Sequence, residues 1–300
     1  DFDYFEKAYL LKKTVKSTHN FAWFLYFEWS EIEWRWKQDS AINKAIEIQK
    51  ECIALNPKTY YPYFQLGYML LDQKLFKEAI PYLEKANQIE NHREITHNLG
   101  YCYFQLKQFE KAKNLFSKAV TELDMENRSL FNLALTEYQC ENVKLISDKL
   151  SIEIEANQHS TVSGYEIGQL YFLINDFDKS TECIIKQGID GIDLIEWEDL
   201  SYSLYQTNIT TWKNQISKSI NKRTEWIEEI ESGHEDWEDY SEEEKQERLI
   251  ELKSEIELRK NTLSEGMPKP KLDLSESLFV EDCGCLLFDC KRHGNRKNDN

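Results

Sequence analysis

At 300 residues the chain exceeds the size at which a single hydrophobic core keeps growing, so two domains or one elongated array is expected. Hydrophobic residues at 41%, 13% aromatic, supply a core, while ten Gly and five Pro leave too few turns for a many-stranded fold, so long helices are expected. A formal charge of −17 argues against non-specific binding to nucleic acid, whose phosphates need clustered Lys and Arg. The longest near-apolar run, Phe21 to Phe27, falls far short of the roughly 20 residues of a membrane span.

Residues 1–25 read as an N-terminal helical cap. Lys12, Lys13 and Lys16 precede the apolar run, but no small-residue cleavage site follows, so a cytoplasmic protein is expected. The chain begins at Asp1, which leaves open whether a leader preceded it. Phe21, Trp23, Phe24, Tyr26, Phe27, Trp29, Trp34 and Trp36 crowd one short segment. They read either as the packed first turn of an array or as a surface for self-association.

From residue 26 to 204 an internal repeat dominates. Small residues recur at Gly67, Gly100, Ala134 and Gly168, spaced 33, 34 and 34 residues, each behind an apolar residue: Leu66, Leu99, Leu133 and Ile167. A second register agrees, since Ala79, Leu83 and Ala86 recur as Ala112, Phe116 and Ala119. These residues resemble the tetratricopeptide-repeat family, with its aromatic, Leu-Gly, Tyr, Ala, Phe, Ala and Pro pattern. Residues 60–92 and 93–126 carry it best; 26–59, with Trp29, Trp36, Ala45 and Pro57, has Glu33 at the small position, and 161–192 keeps Ile167, Gly168 and Tyr171. Residues 127–160 and 193–225 are degenerate.

The resemblance implies an all-α, right-handed superhelix of stacked helix pairs whose first helices line a concave surface. The small residue on one helix lets its partner approach, and one pair alone cannot bury its outer faces, so pairs must stack. Carried over position by position, the surface holds Tyr61, Phe64, Tyr68 and Leu71, then Glu94, His97, Tyr101 and Phe104, then Arg128, Phe131, Leu135 and Tyr138. Aromatic side chains there suit peptide recognition, or pack as ordinary core. The family's carboxylate clamp places Phe64, Tyr68, Asn98, Arg128 and Asn132 at its five positions, of which only Asn98 matches in type; an apolar helical or extended segment is the better ligand.

Beyond Asn208 the period lapses. Trp212, Ile216, Ile220, Ile227 and Ile230 form one apolar stripe that stops near Gly233; Ser241 and Glu244 have capping-box spacing, and Leu249, Leu252, Ile256 and Leu263 form a second stripe. An acidic helical hairpin over 205–264 is expected as an extension of the array. Between Glu225 and Glu247 twelve acidic residues face a single basic one, Lys245. Gly266, Pro268 and Pro270 open an irregular tail over 265–300.

Four cysteines (Cys52, Cys102, Cys140, Cys183) are scattered and read as small buried hydrophobes. The other three, Cys283, Cys285 and Cys290, with His293, offer four donors of the types that hold structural zinc, although the Cys-x-Cys gap is tight; a redox-active or disulfide-forming tail and a disordered end are the competing readings. No cofactor is otherwise expected. Absent phosphate loops, zinc-protease spacing and nucleophile motifs, the chain reads as a non-enzyme. A protein- or peptide-binding scaffold or adaptor is the leading expectation. The alternative is an acidic inhibitor or immunity protein that neutralises a basic partner such as a nuclease toxin.

Overall fold

The computed structural model describes residues 2–29, 35–120, 127–140, 160–187 and 193–290. Trp34 and the side chains of Trp29 and Trp36 lie outside that description, as does His293. Among the described residues every regular element is a helix. None of them is long and apolar enough to cross a membrane. The chain divides into two compact units, residues 1–146 with 153–161 and 275–300, and residues 147–152 with 162–274.

The first unit holds α1 (Phe2–Leu11), α2 (Val15–Phe24), a π-helical turn (Leu25–Trp29) and α3 (Arg35–Ala54). Then come α4 (Tyr61–Asp72), α5 (Phe76–Ile89), α6 (Arg93–Gln105), α7 (Phe109–Ala119) and α8 (Arg128–Gln139), each packed on the next. The two registers of small residues meet as the repeat requires. A Cβ added at Gly67 would sit 2.6 Å from Leu83, and one at Gly100 would sit 2.9 Å from Phe116. Ala79, Leu83, Ala86, Ala112, Phe116 and Ala119 are all fully buried. Burying a Leu or Phe side chain contributes about 1.5–3 kcal/mol, so these inter-helix contacts are a main source of the unit's stability.

The turn inside each pair repeats as faithfully as the core. Lys74 and Lys107 both adopt left-handed backbone, at φ 58° and 59°. In each, the next amide reaches back to close the preceding helix: Leu75 to the Leu70 carbonyl and Gln108 to the Tyr103 carbonyl. These are the six-to-one bonds of a Schellman closure. Asn175 in the second unit repeats it at φ 64°, with the Asp176 amide donating to the Tyr171 carbonyl.

The second unit holds α9 (Gly164–Leu173), α10 (Phe177–Gln187), α11 (Glu198–Thr207), α12 (Ile209–Ser232) and α13 (Glu242–Glu265). Helix α12 closes on Gly233 in left-handed conformation, and α13 opens with the reciprocal Ser241–Glu244 bonds. Trp212 and Ile216 pack into a core with Leu200 and Leu204, while Ile230, Leu249 and Leu252 form another at the far end of the hairpin. Arg223 of α12 and Arg259 of α13 are buried and converge on Asp193, with Glu255 also bonded to Arg223. Eleven of the twelve acidic residues from Glu225 to Glu247 are exposed, the half-buried exception being Glu229.

Candidate functional site

Two asparagines of the first unit stand at the same repeat position, Asn98 on α6 and Asn132 on α8, and both are fully buried. A buried primary amide brings two donors and a carbonyl oxygen that must find partners. Here the partner is the main chain of residues 275–290, which carries no regular secondary structure and lies along the helices. Asn132 donates to the Phe279 carbonyl at 2.8 Å and accepts from the Phe279 amide at 2.9 Å. Asn98 does the same for Glu281, at 2.8 and 2.9 Å. Successive repeats thus read alternate residues, which is the period of an extended strand.

Asn20 of α2 holds Phe288 in the same bidentate way, donating at 3.2 Å and accepting at 2.9 Å. Two buried histidines join them. His97 Nε2 donates to the Phe279 carbonyl at 2.9 Å, with Nδ1 accepting from Ser129 at 2.8 Å. His19 Nε2 donates to the Leu286 carbonyl at 2.9 Å, with Nδ1 accepting from Gln49 at 3.1 Å. A carbonyl partner fixes the same neutral tautomer in both rings. Burial pushes the His97 pKa down to about 4, against the opposing pull of the Phe279 carbonyl. The ring is therefore an uncharged donor at neutral pH.

Side chains of the tail are held as well. Arg93 grips Glu281 in a fork, Nη1 to Oε1 at 2.8 Å and Nη2 to Oε2 at 3.1 Å. Burial would raise the Glu281 pKa, but the Arg93 bonds and the positive charges around it hold the carboxyl below the usual range. Phe279 meets Phe131 edge-on at 5.3 Å and lies under the Arg128 guanidinium at 5.9 Å. Phe288 packs on Tyr61 at 5.6 Å and on His19 at 5.0 Å. Gln105 bonds the Ser275 carbonyl, and Lys16 pairs with Asp289. From Phe279 to Asp289 the tail therefore runs from α8 through α6 back to α4 and α2.

Of the surface positions read from the sequence, Tyr61, His97, Asn98, Arg128 and Phe131 touch the tail. Asp282 and Cys283 lie near enough to Tyr68 to add to the upward push that burial gives its phenol, and Glu276 acts likewise on Tyr101. Phe64 is buried beside Tyr60, Phe104 packs on Phe109, and Tyr138 is half-buried. The repeat pattern marks Asn132 only as a clamp position and gives no signal for His19, Asn20 or Arg93. Cys283 is buried and Cys285 and Cys290 are half-buried. Among the described residues no three His, Cys, Asp or Glu side chains gather as a metal site.

Stacked helix pairs with an extended segment laid across their first helices are the architecture of a helical-repeat solenoid. Residues 70–126 match the family described as tetratricopeptide repeat. The chain carries tetratricopeptide repeats, and repeats of this kind bind proteins or peptides. A stretch of 89 residues is 37% identical to a UDP-N-acetylglucosamine--peptide N-acetylglucosaminyltransferase of Giardia intestinalis (strain ATCC 50803 / WB clone C6). That stretch is 29% of this chain and 6% of the relative, so the similarity touches a small part of that protein.

Proposed function

We propose that this protein is a non-catalytic scaffold that binds a partner protein by laying an extended segment of it along the groove of α2, α4, α6 and α8. The observation that carries this reading is the bidentate grip of Asn98 and Asn132 on the main chain of Glu281 and Phe279. Such a grip recognises any extended chain, because it spends its hydrogen bonds on the backbone and leaves selectivity to flanking side chains. The Giardia relative is named for transfer to a peptide, and a repeat surface that holds peptide is consistent with that name.

A labelled peptide of residues 275–290, titrated into the full chain, tests the reading. In the wild type the resident tail competes. With Phe279→Ser and Glu281→Lys loosening that tail, saturable binding is expected, and adding Asn98→Ala with Asn132→Ala abolishes it. These positions serve better than Phe64 and Phe131, whose truncation would open cavities in buried packing. A loosened chain that still ignores the peptide would rule out the groove as a binding surface.

A further inference from the structure

The tail does not use every position the groove offers. Gln65 on α4 stands 33 residues before Asn98, itself 34 before Asn132, so it occupies the same place in its repeat. Its side chain is fully buried, and among the described residues its carbonyl oxygen has no hydrogen-bond partner while its amide reaches only Gln49 at 3.4 Å. The tail lies at the flanking positions of the same helix. Asp282 and Cys283 lie close to Tyr68, Phe288 packs on Tyr61, and Gln65 falls between those two tyrosines on the same helix face. With two residues per repeat, Cys283 is due at Gln65 after Phe279 at Asn132 and Glu281 at Asn98.

The chain bends instead. Gly284 takes left-handed backbone at φ 60°, and its amide is caught by Asp282 Oδ1 at 2.8 Å, a local turn that draws the strand out of register. A buried carbonyl oxygen without a donor is costly, and a donor supplied by a bound strand removes the cost. The resident tail therefore fits the groove at two consecutive repeats and misses the third.

We infer that the groove's partner is an extended protein segment with an aromatic side chain at the Asn132 position and a carboxylate two residues later at the Asn98 position, continuing without a turn across Gln65. Such a segment satisfies Gln65 as well as the asparagines and so displaces the tail. The side-chain requirements come from what surrounds the tail: Phe131 and Arg128 around the ring of Phe279, and the Arg93 fork on Glu281. The charge needed is negative, since Arg93 and Arg128 are the cations that flank these two positions. This inference rests on the groove reading above and specifies its ligand.

The test compares two synthetic peptides on the tail-loosened full chain: residues 275–290 unchanged, and the same peptide with Asp282→Val and Gly284→Val, which removes the turn and favours extended backbone. One further bidentate pair is expected to tighten binding about tenfold. In Gln65→Met, similar in shape but unable to bond, the straightened peptide loses that gain while the unchanged peptide binds as before. The unchanged peptide thus reports that the fold and the other positions are intact. Equal affinity of the two peptides, or a gain that survives Gln65→Met, overturns the inference and leaves the groove reading standing. If neither peptide binds, the groove reading falls and the inference falls with it.

Discussion

The two units face the same difficulty, buried polar groups on helices, and meet it differently. In the second unit Arg223 and Arg259 are answered by side chains, Asp193 and Glu255, in a closed cluster. In the first unit Asn98, Asn132, His97, Asn20 and His19 are answered by the main chain of a segment that carries no helix or strand of its own. A side-chain cluster is permanent for as long as the helices pack. A main-chain partner is exchangeable, because any extended strand offers the same groups. On the proposed function, rigidity belongs to the hairpin and recognition to the groove.

The largest expected effect lies in the hairpin. Asp193→Ala leaves two buried guanidiniums facing each other and is expected to cost about 3–5 kcal/mol of stability by denaturant unfolding. A loss under 1 kcal/mol would mean that the cluster is dispensable and the contrast too sharply drawn.

Acid should separate the units next. Burial outweighs the Phe279 carbonyl and holds the docked His97 pKa at about 4 against an ordinary 6.5, so a release of the tail that opens the ring to water takes up a proton between those values. Docking is then fully stable above pH 6.5 and weakens as pH falls toward 4. Glu281, depressed below 4.5, adds its own loss only as pH falls past that range. Between pH 7 and 5 tail docking should weaken by about 2 kcal/mol. The Asp193 carboxyl, held below 3.8 by Arg259 and Arg223 against the upward push of burial, keeps its charge throughout that window. Hydrogen exchange at the two pH values, corrected for intrinsic rates, reads both regions, and equal sensitivity would contradict the assignment to His97.

The repeats were legible because their signal is packing. Gly67 against Leu83 and Gly100 against Phe116 require particular volumes at fixed spacing, and volume is written in residue identity. The groove was half legible. Tyr61, His97, Asn98, Arg128 and Phe131 could be carried over by position, yet nothing in the composition of residues 275–290 marks them as the occupant. A grip on backbone amides constrains no side chain, and Asn20 meets Phe288 across 268 residues of chain. The Arg223–Asp193–Arg259 cluster was hidden for a related reason, since its members are 30 and 66 residues apart and follow no period.

The smallest effect belongs to the exposed acidic turn. Neutralising Glu235, Asp236, Glu238 and Asp239 to their amides should change stability by no more than about 0.5 kcal/mol, because these residues are exposed. It should leave peptide affinity of the tail-loosened chain unaltered. A marked loss of peptide affinity would move recognition toward the hairpin and reverse the contrast.

Most direct is the protection of three amides, those of Phe279, Glu281 and Phe288, each donating to an asparagine rather than to any helix or strand. In the full chain at neutral pH, site-resolved hydrogen exchange should find all three protected well beyond the rates of a free peptide, and Asn98→Ala with Asn132→Ala should release Phe279 and Glu281. Free-peptide exchange rates at all three amides of the wild type would contradict the claim that the groove reads the main chain of its own tail.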